Sequence, residues 1–376
     1  VLERYSKLAE RALRGEAPSR DEARWILDGD DVALLPLLHA AYLPRERAFG
    51  RRVQVQVLNN VQNGLCPEDC GYCPQSRDSA APIRKYPMKP RAEILAEAER
   101  AARAGATRYC MVLSGRGPSL ERTRELADLV REVKARFPIG VCVSVGLVDE
   151  EKARILADAG LDRLNHNLNT SERRYPEICS THTWADRVRT LTAAKKSGID
   201  SCSGFILGMG ETTEDVLDVA FTLRELEVPS IPVNFLVPID GNPVFDDGTL
   251  TPERCLRALA LMRLVNPSAE IRAAGGREGH LRTLGPLLFW PANSLFVEGY
   301  LTTRGDAVDE TYRMIADAGF EVDGNPLYDE QRAADTQAFR LAGADGQILK
   351  PDIAAPTRGV HGSSIPRDRS AAARSE

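Results

Sequence analysis

Short apolar or β-branched runs alternate along most of this chain with longer stretches of helical period. The runs are VQVQVL (53–58), RYCMVLS (108–114), GVCVSVG (140–146), RLNHNL (163–168), CSGFILG (202–208), SIPVNFLVP (230–238), EIRAAGG (270–276) and SLFVEGYL (294–301). Between several of them lie amphipathic stretches such as RAEILAEAERAARAGA, SLERTRELADLVREVKAR and EEKARILADAG. Eight strands with helical crossovers over about 250 residues predict an α/β fold, a (β/α)8 TIM-type barrel. A doubly wound sheet remains the rival, because periodicity does not show whether the sheet closes.

The flanks read differently. Residues 1–50 predict an N-terminal helical extension, with Ser19 and Glu22 spaced as a capping box. The stretch DVALLPLLHAAYLPRERAFG predicts an apolar helix broken at proline. Residues 51–320 would form the barrel and 321–376 a largely irregular C-terminal segment. From about residue 350 that segment is rich in Pro, Gly, Ser and charge, which predicts disorder.

Composition narrows the partners. The 376 residues are 43% hydrophobic and 27% charged, and the net charge of -5 argues against a nucleic-acid surface. No apolar run approaches the roughly 18 residues needed to span a bilayer. The first residues lack the apolar centre of a signal peptide, so the expectation is a cytoplasmic protein. Eight cysteines in a reducing compartment point to metal binding before disulfides.

Three of those cysteines stand together in NGLCPEDCGYCPQS, at Cys66, Cys70 and Cys73, directly after the first strand. In a barrel that places them at the carboxyl face, where active sites are built. A closed zinc site requires a fourth ligand, and neither a second C-x2-C nor an H-x3-H pair follows. Three thiolates suit a [4Fe–4S] cluster with one iron left open to a small molecule. On spacing alone, zinc and iron–sulfur are both readings of this loop.

The strands carry further polar residues. Cys110, Cys142 and Cys202 fall in the second, third and fifth strands, where each is either an ordinary small core residue or a lumen thiol. Arg272 in the seventh strand needs an anion, and no acidic partner is evident near it in these strands. Asn165, Asn167 and Asn169 share one face of the fourth strand at period two, with His166 and Leu168 on the other. Asparagine is depleted in strands, so this stripe asks for a reason. Asn234 is a lone polar residue in an apolar strand, and Arg187 reads by itself as a solvated helix arginine. Cys179 and Cys255 read as incidental, and His39, His182, His280 and His361 show no metal spacing.

With Tyr72 before its last cysteine, C-x3-C-x2-C resembles the signature of the radical S-adenosylmethionine enzymes, and GLCPEDCGYCPQS is most similar to the biotin synthases among them. The likeness continues through GATRYC, NHNLNTS, CSGFILGMGE, SIPVNFLVPIDGNP, IRAAGGRE and ANSLFVEGYLTT, covering roughly residues 20–320 in order. It implies that Cys66, Cys70 and Cys73 hold a [4Fe–4S] cluster whose open iron is chelated by S-adenosylmethionine, so the fourth ligand comes from the cofactor. It implies a second, [2Fe–2S] cluster on Cys110, Cys142, Cys202 and Arg272, the source of the sulfur inserted into dethiobiotin to make biotin.

Further roles follow from the same resemblance. Tyr72, Asn167, Asn169, Arg187 and Ile206 would contact S-adenosylmethionine, and Asn165, Asn234 and Thr302 would contact dethiobiotin. Family members with aspartate at the position of Asn169 make that contact the less secure one. Gly204 and Gly208 would admit close backbone approach, while Glu211 would order its loop. Reduction would come from a donor such as flavodoxin or ferredoxin, and the working form would be a homodimer. Two other readings stay open: a hydrogenase-maturation or methylornithine-forming relative, or a non-enzymatic iron–sulfur or zinc carrier. The first would not be expected to keep all four residues of the second cluster. The second leaves Arg272, Asn234 and the asparagine stripe without explanation.

Overall fold

The computed structural model describes residues 2–244, 248, 250–301 and 307–329. Three helices come first: α1 (Leu2–Leu13), α2 (Arg20–Asp28) and α3 (Leu34–Phe49). The capping box ahead of α2 is formed reciprocally by the Ser19 hydroxyl and the Glu22 carboxylate. The expected break in α3 does not occur, and the helix runs on through Pro44. An interior proline costs about 3 kcal/mol. Burial of Leu37, Leu38, Ala40 and Ala41 against α1 and the later helix α10 (Pro252–Val265) offsets it.

The barrel follows. β1 (Arg52–Gln62) pairs in parallel with β2 (Arg108–Leu113), which pairs with β3 (Gly140–Ser144) and then β4 (Arg163–Asn165). β4 pairs with β5 (Asp200–Cys202), and β5 with β7 (Ser230–Phe235), whose other edge takes β8 (Glu270–Ala273). β8 pairs with β9 (Ser294–Val297), and β9 returns to β1. The sheet is therefore closed, which decides for the barrel over the doubly wound alternative. Every residue of β7, β8 and β9 is buried, as expected for parallel strands covered on both faces. The crossovers supply α4 (Arg91–Arg103), α5 (Leu120–Arg136), α6 (Glu150–Asp158), α7 (Tyr175–Ile178), α8 (Trp184–Lys196) and α9 (Thr213–Glu225).

Two strands differ from the sequence reading. The run 202–208 is split between β5 and β6 (Phe205–Leu207), and β6 pairs with the far end of β7. At the break a Cβ on Gly204 would lie 1.8 Å from the Pro232 carbonyl oxygen. The close approach demanded of Gly204 is thus made by the neighbouring strand. The fourth strand stops at Asn165, and Asn169 has φ +68°, so alternation at period two fails beyond it. After β9 come α12 (Val308–Asp317) and a short β10 (Glu321–Val322) that adds to the start of β1. The C-terminal segment is therefore ordered at its outset; the tail expected to be disordered lies outside the described residues. No helix among the described residues is long and apolar enough to cross a membrane.

Candidate active site

Cys66, Cys70 and Cys73 lie on the segment leaving the carboxyl end of β1, all as free thiols. Tight turns bend this segment, with the Cys73 N–H donating to the Cys70 carbonyl (3.0 Å) and the Ser76 N–H to that of Cys73 (3.1 Å). Burial raises the Cys66 thiol and pushes Cys73 up to about 11. Each thiol lies close enough to feel a neighbour's charge. Three thiols on one short segment, without a fourth in it, fit an iron–sulfur cluster that leaves one iron open.

The surroundings of Cys70 correct the reading of Cys179 and His182 as bystanders. Cys179 Sγ lies 3.7 Å from Cys70 Sγ and 3.4 Å from His182 Nδ1, and the three ligand atoms fall within 4.8 Å of one another. Cys70 and Cys179 are 109 residues apart, so no spacing in the sequence signals this meeting.

A cavity opens above the barrel beside this loop, lined by Cys73, Asn165, Asn167, Asn169 and Arg187 among others. Arg187 on α8 is not solvated. It is 6% exposed, and its fork reaches the Asn167 carbonyl (2.7 Å), His182 Nε2 (2.8 Å) and the Tyr175 hydroxyl. Tyr72 accepts hydrogen bonds at its hydroxyl from Asn169 Nδ2 and Arg187 Nη2, while its carbonyl is taken by Asn242 Nδ2 at 3.2 Å. Asn167 Oδ1 accepts from the Gly204 N–H at 3.1 Å. Ile206 in β6 presents an apolar wall to the same cavity. Glu211 orders the loop beyond it, its carboxylate accepting from the N–H groups of Gly208 (2.9 Å) and Met209 (2.8 Å).

Asn234 also lines this cavity, and its amide is half used by backbone. Oδ1 accepts from the Gly275 N–H (3.0 Å), and Nδ2 donates to the Phe205 carbonyl (3.2 Å), leaving one N–H and one lone pair. Thr302 lies outside the described residues. His166, which strict alternation turned away from the asparagines, lines the cavity with them. Its Nε2 is buried without a partner among the described residues, and burial depresses its protonation well below the ordinary histidine value. Sequence reasoning missed this residue because the strand ends one position before it.

Deeper in the barrel, Cys110, Cys142, Cys202 and Arg272 line a second cavity together. Cys110 and Cys142 are direct register partners on β2 and β3. Across from them, Cys202 Sγ receives hydrogen bonds from Arg272 Nη1 (3.5 Å) and Asn165 Nδ2 (3.3 Å). Three thiols and one guanidinium converging on one enclosed space fit a small iron–sulfur group with a cationic neighbour.

The expectation that Arg272 lacks an acidic partner is overturned. Glu270, two residues earlier on β8, binds its Nη2, and the same carboxylate accepts from Arg163 Nη1 (2.5 Å) and Gln56 Nε2 (2.6 Å), with Arg108 Nη1 at 3.7 Å. Burial works against the Glu270 charge, but Arg272, Arg163 and Arg108 outweigh it and hold the carboxyl well below the usual carboxylate range. The signal was present in EIRA, since residues two apart on a strand share a face.

A closed parallel barrel with a three-cysteine loop at its carboxyl face is the arrangement of the radical S-adenosylmethionine enzymes. A model of the Radical SAM superfamily matches residues 62–223, and one of the Biotin and Thiamin Synthesis associated domain matches residues 232–321. Biotin synthase of Acaryochloris marina is 56% identical over 316 residues, covering 84% of this chain and 91% of that protein. Biotin synthase of Bacillus subtilis is 46% identical over 322 residues, covering 86% and 96%. The chain belongs to the biotin synthase family. It is an enzyme, a sulfurtransferase that works with an iron–sulfur cluster and S-adenosylmethionine. A methylornithine synthase superposes with TM-score 0.73 at 20% identity, covering 86% of this chain and 99% of its own. That likeness is one of fold.

Proposed function

We propose that the chain inserts sulfur into its substrate, dethiobiotin, using two iron–sulfur groups. Cys66, Cys70 and Cys73 would hold a [4Fe–4S] cluster, and Cys110, Cys142, Cys202 and Arg272 a [2Fe–2S] cluster. The observation that carries this reading is a shared wall: Asn165 and Tyr300 line both the upper cavity and the thiol cavity beneath it. A substrate seated there has one donor set above and the other below. When bound, the upper group with S-adenosylmethionine supplies a radical that can take hydrogen from unactivated carbon, and the lower supplies sulfide.

The chain's own residues bind, orient and exclude water. Tyr72, Asn167, Asn169, Arg187 and Ile206 frame the cofactor end, with Arg187 and Asn169 braced through the Tyr72 hydroxyl. The Asn169 amide serves there as a hydrogen-bond donor. Asn165 and Asn234 take the substrate end, Asn234 offering its one remaining N–H and lone pair to a ureido ring, and the family resemblance assigns Thr302 to the substrate as well. Arg272, fixed by Glu270, keeps a positive charge against Cys202.

In the same reading, residues 1–50 are an accessory helical extension to a catalytic barrel over 51–320, with 321–376 the C-terminal segment. The working form is a homodimer, fed electrons by a flavodoxin or ferredoxin. All eight cysteines are free thiols, which suits the reducing cytoplasm.

The test is one anaerobic incubation of reconstituted protein with S-adenosylmethionine, a strong reductant and dethiobiotin. Biotin together with 5′-deoxyadenosine is the expected outcome. Deoxyadenosine alone would redirect the chemistry to another substrate. Neither product, from protein carrying both clusters, would make the chain a carrier.

A further inference from the structure

Cys179 meets Cys70 because two chain segments are tied together on both sides of the contact. The Gly71 N–H donates to the Ile178 carbonyl at 2.9 Å. Asp69 Oδ1 accepts from the N–H groups of Ser180 (3.0 Å) and Thr181 (3.2 Å). Cys179 itself caps α7, its N–H bonded to the Tyr175 carbonyl at 3.2 Å, and is 5% exposed. Its sulfur has little freedom to leave the 3.7 Å contact.

We propose that the Cys179 thiol donates a hydrogen bond to the sulfur of Cys70 and thereby sets the reduction potential of the cluster on Cys66, Cys70 and Cys73. The inference rests on that assignment of the three cysteines. A sulfur that ligates metal carries no proton, so within this pair Cys179 is the donor. Three other groups compete for its proton. The Thr181 hydroxyl, 3.7 Å away, spends its own proton on Glu68 Oε2 (2.7 Å) and already accepts from the Asp69 N–H (3.3 Å). Asp69 Oδ1 lies 3.3 Å away, but its two lone pairs are already taken by the Ser180 and Thr181 N–H groups. His182 Nδ1 is pressed against Glu68 Oε2 at 2.5 Å, which makes it the donor to that carboxylate and leaves no lone pair for Cys179. The Cys70 sulfur, negatively charged once its proton is gone, stands at the same 3.7 Å as the neutral Thr181 hydroxyl and is the stronger acceptor. A donor on a cluster sulfur favours the reduced, more negative state, so it raises the potential.

The experiment is a redox titration of full-length protein, reconstituted without S-adenosylmethionine, following the paramagnetic signal that Cys66→Ala removes. Parent, Cys179→Ala and Cys179→Ser are compared, with iron and sulfide content measured on each. We expect equal iron and sulfide in all three. At the parent's midpoint, the ratio of reduced to oxidised cluster in Cys179→Ala should be about tenfold lower, equivalent to ~59 mV for one electron. Cys179→Ser, which keeps a donor, should fall between them. An unchanged midpoint in Cys179→Ala overturns the proposal. Loss of iron in Cys179→Ala also overturns it, making Cys179 a metal ligand in its own right. If Cys70→Ala keeps the parent's signal, the three-cysteine assignment fails and takes this inference with it.

Discussion

Glu270 and Arg272 stand two residues apart on β8, point the same way, and pair inside the barrel beneath the thiol cavity. That carboxylate also serves Arg163 and lies near the half-buried Arg108, so one negative charge faces three guanidiniums. Removing one partner of a buried ion pair leaves uncompensated charge and costs about 3–5 kcal/mol. Glu270→Gln should therefore lower unfolding stability by about that amount at neutral pH, measured by denaturant titration. Because the folded-state carboxyl titrates below its ordinary 4.5, the stabilisation is fully present above that value and is lost as pH falls towards the folded-state value. The gap between parent and variant should narrow steadily below pH 4.5. A gap that stays constant on acidification would mean the loss arises from packing.

The two cysteine sets should separate in their products. Cys66→Ala should abolish cleavage of S-adenosylmethionine altogether. Cys202→Ala should retain some cleavage, read as 5′-deoxyadenosine, while losing biotin. Biotin at the parent rate from Cys202→Ala would remove the lower cavity from the role of sulfur source.

Arg187 makes its contacts through three nitrogens of one planar fork, a geometry that lysine does not reproduce. Arg187→Lys should weaken S-adenosylmethionine binding about tenfold or more, roughly 1.4 kcal/mol. Equilibrium binding to the cluster-loaded protein checks this, and unchanged affinity would confine Arg187 to bracing Tyr175 and Asn167.

Gly204 has no room for a side chain, since a Cβ there would lie 1.8 Å from the Pro232 carbonyl oxygen. Forced overpacking of this kind costs about 1–3 kcal/mol, occasionally more. Gly204→Ala should lower stability by at least that range and push apart β5–β6 and β7, the strands bearing Cys202, Ile206 and Asn234. Thermal unfolding and the iron content of the lower site would both report it.

What this sequence determined by itself is what depends on neighbours along the chain. Strand runs, helical periods and the Ser19–Glu22 cap are local, and so is the C-x3-C-x2-C spacing that announces a metal-binding loop after β1. Strand assignment was enough to bring Cys110, Cys142, Cys202 and Arg272 into one lumen once the barrel was supposed. Tertiary structure alone decided whether the sheet closes, because closure is a hydrogen-bonded pairing of β1 with β9 across more than two hundred residues. It decided that α3 survives Pro44, since burial of one helix face outweighs a local cost. The fourth strand ends at Asn165, so His166 enters the upper cavity against simple alternation, and at Gly204 the close approach of the β7 backbone splits the fifth run in two. The meeting of Cys179 with Cys70 is of the same kind. Two loops from different strands are pinned by Asp69, and contacts made through space leave no trace in the spacing of residues.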